Sequence, residues 1–291
     1  MSSAASAVGL NVAVIGGSIA GCAAAIELCR LGCAVTLFER TGEELKDRGA
    51  GIAVPPSVIE TLVARDLIDA EFPHFQSHTI KRMWRTPDTQ RHGFVAWDQP
   101  MRVELLNWGS LYRNLRKRVP DGVYRTAHRV TALRQHGDDR VEIELADGAT
   151  LEFNLVVCAD GYGSLGRRAL FPETSVSYAG YVLWRGSLPE SGLADSQPMD
   201  QGIRCLGFPG GHGIFYFVPD PGGQTAIGKR LVNWGLYLPV PARDLNDFMT
   251  GRDGRRHEGS LPPGSMPPGT EQRLKAMARD RLPTYYADIV D

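Results

Sequence analysis

The residues best suited to chemistry form a glycine-rich turn near the N-terminus and an acidic residue beyond it. The turn is Gly16-Gly17-Ser18-Ile19-Ala20-Gly21, and Glu39, followed by Arg40, ends the next apolar segment. Glycines permit a tight turn and a close backbone approach, and a helix starting near Ser18 would direct its positive end at a diphosphate. An acidic side chain about 20 residues further on can accept hydrogen bonds from a ribose. The pattern predicts a dinucleotide site.

The turn departs from the strict pattern G-x-G-x-x-G, because Ser18 stands where the middle glycine is expected. A small side chain still permits a close approach, and the Ser18 N–H can still face a phosphate. The Ser18 hydroxyl is also suited to cap the following helix. The alternative interpretation is an ordinary strand-turn-helix that binds no ligand.

A strand, a helix and a second strand must position these residues. Apolar periodicity predicts strands over 11–15 and 34–38 around a helix over 18–31, which Gly32 ends. Further helices are predicted over 57–66 and 108–118, and further strands over 124–133, 141–145, 151–157, 181–184, 213–218 and 226–234. A second glycine-rich loop over 48–56 could place bare backbone against a flat ligand, although a plain structural loop explains its glycines equally well.

Composition excludes several classes of protein. The 291 residues leave room for about two domains. The 32 basic side chains nearly cancel 33 acidic ones, so no net charge favours nucleic acid or an anionic membrane as partner. No apolar run approaches the roughly 20 residues of a membrane span and no signal peptide is evident, so we expect a cytoplasmic protein. The five cysteines form no metal-ligand pattern, and Cys22 and Cys29 are predicted to lie in the core.

A second motif lies at residues 155–164, where an apolar strand runs into the turn Asp160-Gly161. Together with the Gly16 turn and Glu39, it resembles the Asp-Gly motif of the single-component flavin-dependent aromatic hydroxylases, the para-hydroxybenzoate hydroxylase-like monooxygenases. The resemblance extends over nearly the whole chain. Within that family, segments 177–186, 211–216 and 244–254 are similar to the branch that hydroxylates dihydroxypyridines.

The resemblance implies an FAD-dependent monooxygenase. NAD(P)H would reduce FAD, O2 would add to give a flavin hydroperoxide, and its distal oxygen would pass to a hydroxylated aromatic or pyridine ring, such as a dihydroxypyridine. The expected partners are therefore this small substrate and O2, with a homodimer as the expected assembly. Two alternatives stay open: a related flavoprotein oxidoreductase with a non-aromatic substrate, and a non-catalytic remnant that binds a nucleotide or a partner protein.

The fold implied by the resemblance is α/β. An FAD-binding Rossmann-like domain, with a mixed sheet and a βαβ N-terminus, would interleave with a β-rich substrate domain. We assign residues 1–72 and 98–175 to the first domain and residues 73–97 and 176–268 to the second. Residues 269–291 are expected to form a helical return to the FAD domain.

Site residues follow from the same resemblance. The predicted cofactor-binding residues are Gly16, Gly17, Ser18, Ile19, Ala20, Gly21, Glu39, Arg40, Gly51, Arg102, Val130, Asp160 and Gly161. His212 and Tyr216 are the candidate catalytic residues, because positions four apart on a strand share a face and histidine can exchange a proton near neutral pH. The alternative places His212 in a turn and Tyr216 in the core, while Trp184 and Arg185 fit a role in domain packing.

One family motif is not found. Members normally continue to an apolar strand ending in Gly-Asp, whereas residues 282–291 look like the helix ahead of that strand. We therefore expect a chain that is incomplete at its C-terminus. A fragment, a partner subunit that supplies the remainder, and a diverged protein with weakened flavin binding all remain open.

Overall fold

The computed structural model describes residues 7–43, 45, 51–200 and 202–291. The strands are β1 (Asn11–Ile15), β2 (Ala34–Phe38), β3 (Gly51–Val54), β4 (His74–Trp84), β5 (Phe94–Asn107), β6 (Tyr124–Arg125), β7 (Val130–His136), β8 (Arg140–Leu145), β9 (Thr150–Phe153), β10 (Leu155–Cys158), β11 (Tyr181–Pro189), β12 (Ile203–Phe208), β13 (Gly211–Val218) and β14 (Leu231–Pro239). The helices are α1 (Ile19–Arg30), α2 (Pro56–Ala64), α3 (Trp108–Arg116), α4 (Leu165–Leu170), α5 (Leu245–Phe248), α6 (Pro268–Arg281) and α7 (Thr284–Val290). Within these described ranges, none of the helices has both the length and the apolar character needed to cross a bilayer.

The chain divides into two compact units. The first contains the described residues before residue 50, Ile59–Phe72 and Trp108–Ser177. The second contains residues 51–58, Pro73–Asn107 and the described residues of Tyr178–Asp291.

A parallel sheet in the order β10-β1-β2-β6 organises the first unit. Side chains of β1 alternate between its two faces: Val14 packs with Ala25 of α1, and Ile15 packs with Phe153 of β9. A helix therefore covers one face, and the antiparallel sheet β7-β8-β9 covers the other. Burial on both faces explains why β1 is apolar at every position after Asn11. The predicted α/β fold with a βαβ N-terminus is confirmed.

A seven-stranded sheet in the order β11-β14-β13-β12-β4-β5-β3 organises the second unit. It is mixed, because β12 and β4 run parallel while the other neighbours are antiparallel. Alternation along β13 gives the sheet two different faces. Phe215 and Phe217 belong to the larger core cluster, whereas Tyr216 and Val218 pack with Val103 and other residues of a smaller one.

The C-terminal helices α6 and α7 pack within the second unit, whereas a helical return to the FAD domain was expected for residues 269–291. The physical reason is the apolar face that they share with the seven-stranded sheet. Leu274, Ala278 and Tyr286 join the cluster of Phe215, and the rings of Phe215 and Tyr286 lie 5.1 Å apart. Tyr286 is fully buried there.

The unit boundaries also differ from the predicted domains near residues 51–58 and 98–107. β5 is one continuous strand from Phe94 to Asn107, and the whole strand lies in the second unit. β3 pairs antiparallel with the end of this strand, from Gly51 opposite Asn107 to Val54 opposite Glu104. Both segments are therefore built into the sheet of the second unit.

Candidate functional site

Residues 16–21, here called the phosphate turn, connect β1 to α1. Gly16 has φ of +102°, and a Cβ at this position would overlap the carbonyl oxygen of Ala159, so only glycine fits. Ser18 is the N-cap of α1, although its hydroxyl makes no capping hydrogen bond, contrary to expectation. Ile19 begins the helix, Ala20 is exposed, and Gly21 is buried in the first turn. The first N–H groups of a helix have no partner within it, so they can bind an anion.

Glu39 follows β2 and turns its carboxylate to the phosphate turn. Its Oε2 accepts a hydrogen bond from the Gly17 N–H at 2.9 Å, and its Oε1 accepts one from the Thr41 N–H at 2.8 Å. The Gly17 N–H is therefore not directed at a phosphate. Glu39 is buried, but a carboxylate has about four lone-pair sites and retains capacity for ribose hydroxyls. Arg40, its neighbour, is exposed.

Residues 160–164, here called the aspartate turn, follow β10. Gly161 has φ of +77°, and Asp160 Oδ2 accepts a hydrogen bond from the Leu165 N–H at 2.6 Å. Asp160 Oδ1 is buried and has no hydrogen-bond partner among the described residues. β1 and β10 are parallel neighbours with Ile15 opposite Cys158. The aspartate turn and the phosphate turn therefore leave the same edge of the sheet, where open α/β sheets bind ligands.

Two of the other predicted residues, Val130 and Arg102, belong to different units. Val130 begins β7, and its side chain is buried in the cluster with Phe38 and Phe153, so this side chain is not available to a cofactor. Arg102 is exposed on β5 in the second unit. Residues 48–50 of the second glycine-rich loop lie outside the described residues, and of that loop's predicted residues the structure describes Gly51.

Gly51 lies against Tyr216 in the second unit. The Gly51 N–H donates a hydrogen bond to Asn233 Oδ1 at 2.9 Å, and a Cβ at Gly51 would lie only 2.5 Å from the Tyr216 ring. Asn233 and Tyr216 are cross-strand neighbours on β14 and β13. A predicted cofactor residue and a candidate catalytic residue therefore meet on one face of the seven-stranded sheet.

The same face carries further polar and aromatic groups and is here called the aromatic face: Arg185, His212, Tyr216 and Tyr237. His212 is exposed and stacks on Tyr237, with ring centroids 4.5 Å apart and an interplanar angle of 10°. Burial raises the pKa of Tyr216 to about 12, and the positive charge of Arg185 opposes this shift. Burial therefore favours the protonated hydroxyl of Tyr216, the form that can donate a hydrogen bond.

Comparison with known families identifies the chain. Residues 9–197 match the FAD binding domain family. The chain belongs to this family. Residues 178–291 match a second family, described as FAD binding domain-like. Membership in the FAD binding domain family confirms the resemblance stated from the sequence.

Named relatives narrow the comparison within the FAD binding domain family. The chain is 30% identical over 267 residues to 2,6-dihydroxypyridine 3-monooxygenase of Paenarthrobacter nicotinovorans, covering 87% of this chain and 63% of that protein. It is 27% identical over 244 residues to 6-hydroxynicotinate 3-monooxygenase of Pseudomonas fluorescens, covering 81% and 61%. The structure of 2,6-dihydroxypyridine-3-hydroxylase from Arthrobacter nicotinovorans matches with a TM-score of 0.83 at 26% identity, over 97% of this chain and 69% of that one. The chain spans about three fifths of the two curated relatives.

The residues of the first unit fit the adenosine diphosphate and ribityl parts of FAD. The N-terminus of α1 offers N–H groups to a diphosphate, and Glu39 offers acceptors to a ribose. Asp160 Oδ1 is a buried acceptor that lacks a donor, which a ribityl hydroxyl would supply. Sequence reasoning missed Tyr124, whose hydroxyl donates a hydrogen bond to the Gly17 carbonyl at 2.9 Å. A tyrosine about 100 residues from the turn carries no sequence signal for this contact.

Proposed function

We propose that this protein is an FAD-dependent monooxygenase that adds one oxygen atom from O2 to a hydroxylated aromatic or pyridine ring, with NAD(P)H as the reductant. The observation that carries the proposal is the convergence of the phosphate turn, Glu39 and Asp160 at the carboxyl ends of neighbouring parallel strands. The names of the two curated relatives, monooxygenases of 2,6-dihydroxypyridine and 6-hydroxynicotinate, support a hydroxylated pyridine as the substrate class.

The chain's own residues would divide the work of holding FAD. The N–H groups of residues 18–21 would bind the diphosphate, Glu39 the adenosine ribose, and Asp160 a ribityl hydroxyl. Gly16, Gly17 and Gly161 would act by giving the two turns their shape. For Arg40, Gly51, Arg102 and Val130, a cofactor-binding role stays a prediction.

FAD supplies the electron transfer and oxygen activation when it is bound. The aromatic face would orient the ring and hold its charge. The Tyr216 hydroxyl would donate a hydrogen bond to a ring oxygen, because its raised pKa keeps the proton in place. The charge of Arg185 would favour an ionised ring, and His212, exposed beside Tyr237, would accept the ring hydroxyl proton.

The test begins with the absorbance spectrum of the purified chain after incubation with FAD and removal of free ligand. We expect a flavin spectrum that NADH or NADPH bleaches faster when 2,6-dihydroxypyridine is added. With isotopically labelled O2, one labelled oxygen should appear in the product. A chain that takes up no FAD would contradict the proposal. Flavin reduction without labelled product would favour an oxidoreductase that does not hydroxylate a ring.

A matched pair of variants tests the cofactor site. Glu39→Ala should lower FAD affinity, whereas Glu173→Ala removes an exposed carboxylate of the same unit and should leave affinity unchanged. Equal FAD retention by both variants would contradict the role given to Glu39. His212→Gln should lower the hydroxylation rate and shift its pH profile if His212 accepts the ring proton. A homodimeric assembly and a cytoplasmic location stay predictions from the sequence.

A further inference from the structure

Gly17 is held at both of its backbone polar groups. Its N–H donates to Glu39 Oε2 at 2.9 Å, and its carbonyl accepts from the Tyr124 hydroxyl at 2.9 Å and from Cys22 Sγ at 3.3 Å. A Cβ at Gly17 would overlap the Tyr124 hydroxyl. The absence of a side chain at Gly17 is therefore what lets Tyr124 reach the carbonyl.

Tyr124 is itself held in place. It lies on the edge strand β6 opposite Leu37 of β2, the strand that leads to Glu39. The Arg116 guanidinium lies 4.1 Å from the centre of its ring, and the Tyr112 hydroxyl lies 3.4 Å from its hydroxyl. Burial, followed by the contact with Tyr112, raises the pKa of Tyr124, so its hydroxyl keeps the proton that it donates.

Peptide planarity transmits these contacts to the ligand side of the turn. In a trans peptide the carbonyl of one residue and the N–H of the next point in opposite directions. The hydrogen bond that the Gly17 N–H donates to Glu39 therefore turns the Gly16 carbonyl the other way, toward Gly21, where a Cβ would overlap that carbonyl. In the same way, the hydrogen bond from Tyr124 fixes the direction of the Ser18 N–H, which points away from the phenol.

We propose that Tyr124 is a positioning residue of the dinucleotide site, whose hydroxyl fixes the Gly17–Ser18 peptide so that the Ser18 N–H meets the diphosphate of the ligand. This inference rests on the proposed function, because it assumes that the phosphate turn binds a dinucleotide. Glu39 and Tyr124 then have different roles. Glu39 binds the ribose and orients the Gly16–Gly17 peptide. Tyr124 orients the Gly17–Ser18 peptide and therefore affects only the binding of the phosphates.

The variant Tyr124→Phe tests this assignment, because it keeps the ring under Arg116 and removes only the hydroxyl. We expect the Kd for ADP, measured by calorimetry on the flavin-free chain, to rise roughly five- to tenfold, the effect of one net hydrogen bond. The Kd for FAD, measured by fluorescence quenching, should rise by the same factor. Adenosine lacks phosphates, so its affinity in ligand-observed NMR should not change.

Tyr178→Phe is the matched control. Its hydroxyl also donates to a backbone carbonyl at 2.9 Å, that of Val240 in the second unit, so any general effect of losing such a bond is shared. It should leave all three affinities unchanged. Equal ADP affinity in Tyr124→Phe and the parent chain, or an equal loss for ADP and adenosine, would overturn the inference. A parent chain that binds neither ADP nor FAD would instead contradict the proposed function.

Discussion

Replacing Glu39 by Gln should separate the structural role of this side chain from its role toward a ribose. The carboxylate accepts N–H groups from Gly17 and from Thr41. A glutamine has one oxygen and one NH2 group, so it can accept only one of them and opposes a donor to the other. Gly17 is buried, whereas Thr41 is half-buried and open to water. The amide oxygen of the glutamine should therefore keep the hydrogen bond from the Gly17 N–H. Its NH2 group should then face the Thr41 N–H, which loses its acceptor.

The magnitude follows from this asymmetry. A buried N–H left without an acceptor costs about 1–3 kcal/mol, and water access at Thr41 places the cost of Glu39→Gln at the low end, about 1 kcal/mol. Glu39→Ala removes both acceptors, including that of the buried Gly17 N–H, and should cost about 2–4 kcal/mol. For the ribose, exchanging a charged acceptor for a neutral one should weaken ADP binding about tenfold, the result of about 1.4 kcal/mol.

Urea unfolding of the flavin-free chain measures the change in stability, and calorimetry with ADP measures the change in affinity. Hydrogen exchange of the β1 peptide would assign any loss of stability to the first unit. Two results would refute the reasoning. One is equal destabilisation by Gln and Ala, which would mean that the glutamine oxygen does not preserve a stabilising hydrogen bond from the Gly17 N–H. The other is unchanged stability in both variants, which would mean that Glu39 does not fasten the turn.

Three further predictions concern groups outside the ligand-facing residues. Burial raises the pKa of Cys22 to about 12, so iodoacetamide at about pH 8 should leave Cys22 unmodified in peptide maps of the native protein. Arg230→Met strands the buried carboxylate of Glu190, its partner at 2.6 Å, and should cost about 3–5 kcal/mol in urea unfolding. Hydrogen bonds, led by that from Lys117, lower the pKa of Asp69. The ionised Asp69 therefore stabilises the folded chain above the pKa of the unfolded state, and this contribution is lost in acid. Asp69→Asn should flatten the acid limb of a profile of unfolding free energy against pH.

The local part of the fold could be predicted from the sequence. β1 and β2 occupy the predicted residues, and Glu39 lies beside the phosphate turn as its spacing indicated. Each of these features depends on neighbours within about 30 residues, in a βαβ unit whose handedness and length vary little. A pattern of apolar residues is enough to define such a unit.

Two predicted strands divide where the chain changes sheet. The segment 124–133 becomes β6 and β7, separated at Ala127, which has φ of +58°. The segment 151–157 becomes β9 and β10, separated at Asn154, whose side chain accepts a hydrogen bond from the Asn11 N–H at 2.9 Å. An alternating pattern continues through both corners, because each strand needs a buried face whichever sheet it joins.

The hydrogen-bond partners of individual groups in the phosphate turn could not be predicted from the sequence. The motif suggested that the whole phosphate turn faces a ligand, but the Gly17 N–H is taken by Glu39, and the Ser18 hydroxyl caps nothing. The spacing of residues in the sequence predicts which of them lie near the turn. It does not predict which N–H already has an acceptor, because that acceptor comes from a side chain elsewhere in the chain.

The serine in the middle of the glycine pattern is accommodated for the same reason. Ser18 has φ of −83° and ψ of −166°, an extended conformation that any residue adopts, so glycine has no conformational advantage there. Gly16, at φ of +102°, does need to be glycine. The path of the turn between them is held by Glu39 and Tyr124 from outside it. Substitution at Ser18 should therefore be limited by the space a ligand needs, while substitution at Gly16 or Gly17 should be limited by the turn itself.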